Sequence, residues 1–396
     1  MGGRSVCRVA SAGGRWQDAL NEEKGRGLNK RGRLTPVFKV LTAAALALLA
    51  SCGSPRALGG AAQAQDKPQT LAELPDGRKI NLRCTGRGAP TVVLESGFGA
   101  DSGAWYKVQP ALSRDTRVCA YDRAGYGYSD PGPLPRDGAT IARDLDQALE
   151  AAGVEGPYIV VGHSAGGLYA RLFAARRPGE VAGLVLLDPT VERRAPQPQG
   201  DGLDGIRRRL QRCITAAEAT PQPARADPAW SGCLSAKSSD HAVELARRPV
   251  TWRGQLSELD AIFGRTSEQV ARIGSLLSDV PIYVITASET AAAAPIIPFG
   301  PPISIWEANH QQIAAQSRQG FQTTVVSPHL VMIARPEVVI ATVKAMVTAT
   351  RAGRPPDPLP ASETDPPALD HKLEDPGAFQ SPFGRPFGDA TSDPAK

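Results

Sequence analysis

Gly162-His163-Ser164-Ala165-Gly166 sets a serine between two glycines, directly after the apolar run Tyr158-Ile-Val-Val and ahead of a helical stripe made by Leu168, Leu172 and Phe173. A strand that turns sharply into a helix lifts its middle residue clear of the sheet, and a serine at that point is a candidate nucleophile. The glycines have a mechanical reason, because side chains two residues before and after the serine collide with neighbouring backbone. A serine hydroxyl attacks a carbonyl only when a positioned base removes its proton. Of the five histidines, His163 is held inside the turn, His241 and His310 fall in predicted helices, and His371 lies in a proline-rich tail. His329 follows Gln322-Thr-Thr-Val-Val-Ser-Pro, a loop after a predicted strand, and is the expected base.

A carboxylate must orient that imidazole and stabilise its cation. Asp188 ends the run Gly183-Leu-Val-Leu-Leu, and Glu289 follows Val284-Ile-Thr-Ala-Ser. Asp188 is the first expectation for the acid and Glu289 the alternative, with a plain turn-capping role for Asp188 as the bland reading. The tetrahedral intermediate needs backbone N–H donors aimed at its oxygen. The run Val92-Val-Leu-Glu-Ser-Gly-Phe-Gly offers the amide of Phe98, and Ala165 at the start of the following helix offers a second.

These loops need a scaffold that holds them at one edge. Apolar, β-branched runs predict strands at 78–85, 91–96, 117–121, 158–162, 183–187, 282–286 and 321–326. Ile141, Leu145 and Leu149 stripe a helix that stops at Gly153. Strand and helix in alternation predict an α/β fold with a mostly parallel sheet covered on both faces. The rhythm breaks between residues 189 and 279, where helical patterns at 205–217, 241–248 and 267–277 predict a helical cap. Trp230 and Trp252 in that segment fit either a pocket wall or a small core of the cap's own. Residues 351–396 hold ten prolines and no apolar period, which predicts a disordered tail. The expected organisation is an N-terminal extension and signal over 1–51, a linker over 52–69, one domain over 70–350, and the tail.

The formal charge of +5 is carried by the leader: residues 1–51 hold nine Lys/Arg against three Asp/Glu, leaving the remainder close to neutral. A nucleic-acid surface needs basic residues clustered on the folded domain, and 207–212 is too short a run to supply one. Lys30, Arg31, Arg33 and Lys39 lead into the 11-residue apolar run 40–50, the layout of an export signal. A run of that length is too short to span a bilayer. It ends Leu49-Ala50-Ser51-Cys52, which resembles the lipobox of bacterial lipoproteins, so that Cys52 would carry the lipid and be the only tie to a membrane. Ala62-Gln63-Ala64 is a competing site for ordinary signal cleavage. Either reading sends the product to the periplasm or beyond. No Cys-x-x-Cys or clustered Cys/His spacing points to a metal.

Residues 91–99, Cys119-Ala-Tyr-Asp-Arg-Ala-Gly-Tyr-Gly-Tyr-Ser-Asp130, Gly162 to Gly166 and Ser327-Pro-His329 together resemble the oxyanion loop, the D-R-x-G-x-G-x-S loop, the nucleophile elbow and the histidine loop of the α/β-hydrolase superfamily. The resemblance covers about 70–350, and it implies an eight-stranded sheet, no cofactor, and hydrolysis of an ester, amide, thioester or related bond. It departs in two places: Ser96-Gly97 stands where His-Gly is frequent, and the loop after the seventh strand lacks the usual Asp. Asp122 and Arg123 are expected to stabilise their own loop. A serine nucleophile speaks against epoxide hydrolase or dehalogenase chemistry, which in this superfamily uses a carboxylate. The expectation is a carboxylic ester hydrolase acting on a small-molecule substrate. The alternatives are a C–C bond hydrolase, a peptidase, an acyltransferase or a catalytically silent ligand-binding relative. The implied sheet order places Cys84 and Cys119 on adjacent strands, as a disulfide or as buried thiols. Cys213 and Cys233 bracket a proline-rich turn and are expected to pair in an oxidising compartment.

Overall fold

The computed structural model describes residues 67–192, 203–235, 238–294, 296 and 303–357. The leader with Cys52 and Ala62-Gln63-Ala64, and the tail from residue 358 with His371, lie outside the described residues.

Eight strands form one sheet: β1 (Thr70–Glu73), β2 (Lys79–Thr85), β3 (Thr91–Glu95), β4 (Val118–Tyr121), β5 (Tyr158–His163), β6 (Val181–Leu187), β7 (Ile282–Ala287) and β8 (Gly320–Val325). Their spatial order is β1-β2-β4-β3-β5-β6-β7-β8. β2 runs antiparallel to β1 and β4, and every other neighbouring pair is parallel. Strands buried on both faces read as continuous apolar runs, which is why β3, β5, β6 and β7 were visible in the sequence.

Successive side chains of these strands enter two cores. Val92, Leu94, Ile159 and Val161 join Trp105, Val339 and Met346 on one face. Val93, Tyr158 and Val160 join Leu145, Leu149 and Phe173 on the other. The covering helices are α1 (Gly138–Ala151) and α2 (Gly166–Arg176), with the cap helices α3 (Asp204–Glu218), α4 (Asp240–Ala246) and α5 (Pro249–Ala261) after them. α6 (Ile305–Ala314) and α7 (Pro336–Arg351) follow, with shorter helical turns between. Asp137 caps α1 by accepting from the Thr140 amide, the kind of N-cap expected to contribute about 1 kcal/mol.

The cap departs from its sequence pattern in two ways. The predicted helix at 267–277 is broken into a short helix, Ser267–Ala271, and a 3₁₀ turn, Gly274–Leu277. α5 carried no readable apolar stripe, because its buried face includes Thr251, Gln255 and Glu258 beside Trp252 and Leu259. Trp230 and Trp252 are both buried in the core cluster and donate from Nε1 to the carbonyls of Pro223 and Ala246. Cys213 of α3 is disulfide-bonded to Cys233, and Cys84 of β2 to Cys119, its register partner on β4.

Candidate active site

Ser164 follows β5 with a φ of 52°, a left-handed backbone that costs a non-glycine residue on the order of 1 kcal/mol. Hydrogen bonds hold it there: its amide donates to the Leu187 carbonyl at 3.0 Å, and its own carbonyl accepts from Gly167 and Thr190 at 2.9 and 3.0 Å. The flanking glycines are required by space. A Cβ on Gly162 would lie 2.7 Å from the Gly166 carbonyl oxygen, and one on Gly166 would lie 2.6 Å from that of Glu95.

Asp188 lies one residue past β6, on the strand next to β5, and it too has a positive φ, 41°. Its carboxylate is fully buried. Oδ2 accepts from His329 Nδ1 at 2.6 Å, while Oδ1 accepts from the Ala287 amide at 3.1 Å and from Trp306 Nε1 at 2.9 Å. Burial pushes this carboxyl up, but the hydrogen bonds and charge from His329, with Trp306 and Thr290, outweigh it and hold it below its ordinary range. A histidine that donates from Nδ1 leaves Nε2 as its basic nitrogen. The structure thus brings Asp188 to His329. Glu289 is exposed on the short helix Ser288–Ala293, where its amide donates to the Ser327 carbonyl.

The β3 loop lies flat against the elbow: a Cβ on Gly97 would sit 2.8 Å from His163 Nδ1 and 3.2 Å from Ser164 Cβ. This brings the amides of Phe98 and Ala165 to adjoining backbone. Ser96, where histidine is frequent in the superfamily, is buried under the loop, accepting from Trp105 Nε1 and donating to the Asp101 carbonyl. Asp122 does pin its own loop, accepting from the Tyr128 and Ser102 amides at 2.9 Å and from Asn81 Nδ2 at 2.8 Å. Arg123 also holds that loop, accepting at its carbonyl from the Tyr126 amide at 2.8 Å and resting its guanidinium 4.8 Å from the Tyr126 ring centroid. The guanidinium reaches further, to the carbonyls of Ser96 and Gly97 and the carboxylates of Glu95 and Glu258.

Sequence reasoning set His163 and His310 aside, yet both brace the site. His163 Nε2 donates to the His329 carbonyl at 3.0 Å, and burial followed by the nearby His329 drives its pKa down to about 3, so it is a neutral strut. His310 donates from Nε2 to the Pro189 carbonyl at 2.9 Å and accepts at Nδ1 from Thr286 at 2.8 Å. Burial lowers its pKa as well. Trp306 and His310, at i and i+4 on α6, therefore support Asp188 and the residue after it. That spacing was the available signal.

A family model described as the alpha/beta hydrolase fold matches residues 90–213. The chain has the α/β-hydrolase fold. Among sequence relatives, an uncharacterised protein of Schizosaccharomyces pombe is 47% identical over 81 residues, 20% of this chain and 15% of that protein. The chain spans about 15 to 42% of the length of the curated relatives it matches. Among solved structures, the epoxide hydrolase CorEH superposes with a TM-score of 0.51 at 17% identity, over 71% of this chain and 99% of that one. A putative lipase of Acinetobacter baumannii superposes with a TM-score of 0.51 at 16% identity, over 73% and 92% respectively. At such identities the likeness is one of fold.

Proposed function

We propose that this protein is an exported serine hydrolase of carboxylic esters, working through an acyl-enzyme on Ser164. The 2.6 Å bond between Asp188 and His329, beside a serine in a left-handed elbow, carries the reading. His329 takes the hydroxyl proton as Ser164 Oγ bonds to the ester carbonyl carbon, and the carbonyl electron pair moves to oxygen. The Phe98 and Ala165 amides hold that oxyanion. Its collapse breaks the bond to the alkoxy group, which leaves as the alcohol with the proton from His329. Water then repeats the sequence: His329 takes its proton, the hydroxide adds to the acyl carbon, and Ser164 leaves and is reprotonated. Asp188 stays ionised throughout and stabilises the imidazolium.

A serine at the elbow favours acyl chemistry over that named for the epoxide hydrolase neighbour, and the putative lipase is in keeping with it. The leader residues Lys30 to Cys52 support export with a lipid on Cys52, and the two disulfides fit an oxidising compartment. The substrate is a small molecule, with no cofactor or nucleic acid in the scheme. A fluorophosphonate probe should label the purified protein at Ser164, mapped by peptide mass spectrometry, and the protein should hydrolyse p-nitrophenyl esters. Absence of both reactions rejects the reading. Labelled palmitate incorporated by the wild type and not by Cys52→Ala tests the anchor.

A further inference from the structure

The D-R-x-G-x-G-x-S arginine reaches out of its own loop into the one next to it. Arg123 is fully enclosed between sheet and cap. Its Nη1 donates to the Ser96 carbonyl at 2.6 Å and to Glu95 Oε1 at 2.8 Å, and its Nη2 donates to the Gly97 carbonyl at 2.8 Å. Glu258 Oε1, from cap helix α5, lies 3.1 Å from Nη2 and also accepts from the Tyr169 hydroxyl at 3.0 Å. Tyr121 donates to the other oxygen of Glu95. The rings of Tyr126 and Tyr169 flank the guanidinium, with centroids 4.8 and 5.4 Å from Cζ. A buried cation held from this many directions has little freedom to reorient.

The Gly97 carbonyl belongs to the same peptide unit as the Phe98 N–H. All the cis peptides among the described residues precede proline, so this unit is trans, and its C=O and N–H point in opposite directions. A donor fixed on the Gly97 oxygen therefore fixes the Phe98 N–H to point away from Arg123. It also draws charge toward that oxygen, which strengthens the N–H as a donor. We infer that Arg123 is a positioning residue that sets the Phe98 amide as an oxyanion donor, with Glu258 of the cap holding the guanidinium in place. The inference rests on the serine hydrolase reading above. It makes the formation of the oxyanion site depend on a residue of the cap, bound to Arg123 and Tyr169.

The test compares wild type, Arg123→Lys and Arg123→Met in ester hydrolysis and in adducts formed between Ser164 and an aryl trifluoromethyl ketone. Fluorine NMR of the adduct reads the pKa of the hemiketal hydroxyl, which reports directly on the oxyanion donors. Lysine keeps the charge without the paired donors, and it stands in should the methionine variant fail to fold. The expected result is a kcat lower by about 10²-fold, KM within about twofold of wild type, and a raised hemiketal pKa. A merely structural arginine would lower thermal stability and leave the hemiketal pKa where it was. Wild-type kcat and hemiketal pKa in Arg123→Lys would overturn the inference while leaving the serine hydrolase reading intact. A wild type that forms no adduct and turns over no ester removes both.

Discussion

Asp188 and His329 stand 141 residues apart in the chain and are joined by a 2.6 Å hydrogen bond from imidazole Nδ1 to carboxylate Oδ2. Asp188 stands just past the end of β6, while the amide that steadies its other oxygen, Ala287, comes from the end of β7. β6 and β7 are parallel neighbours, so an acid displaced by one strand still arrives at the same edge of the sheet.

That relationship ranks the two candidate acids by experiment. Asp188→Asn should lower kcat for ester hydrolysis by up to about 10⁴-fold, because the amide no longer holds the imidazole in its productive tautomer. Glu289→Gln should leave kcat within about twofold, since Glu289 is exposed. A reversed ranking would move the acid to the loop after β7.

His163 makes one acid-sensitive contribution to stability. Its pKa falls from 6.5 to about 3 on folding, so between those values the unfolded chain binds a proton that the folded chain refuses. This group's contribution to stability should therefore decline as the pH drops through that window, by at most about 1.4 kcal/mol per pH unit, while Glu95 and Asp101, raised by burial to about 7 and about 6, act in the opposite sense. Asp188, held low, adds its own loss only below its ordinary range. The urea midpoint of His163→Gln relative to wild type, measured between about pH 6.5 and 4.5, should shift in the variant's favour as the pH falls. His310, Glu95 and Asp101 remain in both proteins, so their contributions cancel in the comparison.

Two glycine substitutions should move stability in opposite directions. Gly162→Ala drives a methyl to 2.7 Å from backbone and should cost about 1–3 kcal/mol. Gly254→Ala, inside α5 with nothing within 4 Å of the new methyl, should stabilise by about 0.5–1 kcal/mol. Denaturant titration of both variants checks the contrast, and equal effects would refute the close approach at the elbow.

The cap disulfide offers a third handle on stability. Cys213 and Cys233 close a segment with a sequence separation of 20, which on the chain-entropy model is worth about 3 kcal/mol. Cys213→Ser with Cys233→Ser should lower the unfolding free energy by about that much. A non-reducing peptide map of the mature protein should recover both linkages. Alkylatable thiols at these positions would count against the bridge and against export.

The elbow, the histidine loop and the buried strands were legible because each is short-range: glycine spacing, an apolar run, a turn residue. β1 was not, since a four-residue edge strand with Leu71 and Glu73 exposed and only Ala72 buried has almost no pattern of its own. α5 was missed for another reason, its buried face mixing Thr251, Gln255 and Glu258 with Trp252 and Leu259. Glu258 makes sense only when Arg123 and Tyr169 arrive from other elements. Of the struts His163, Trp306 and His310, only the i, i+4 spacing of the last two shows in the sequence, because what they touch is fixed by strand order.

The segment that enters the cap begins as part of the catalytic edge, and this draws a seam for engineering. Directly after Asp188, the Pro189 carbonyl accepts from His310, the Thr190 amide donates to Ser164, and Glu192 forms a two-bonded pair with Arg171. A transplanted cap must therefore be spliced beyond Glu192 and returned before Ile282. Any graft must also present a carboxylate where Glu258 meets Arg123. It must also replace the Thr266 and Gln269 side chains that accept from the Gly138 and Ala139 amides at the start of α1.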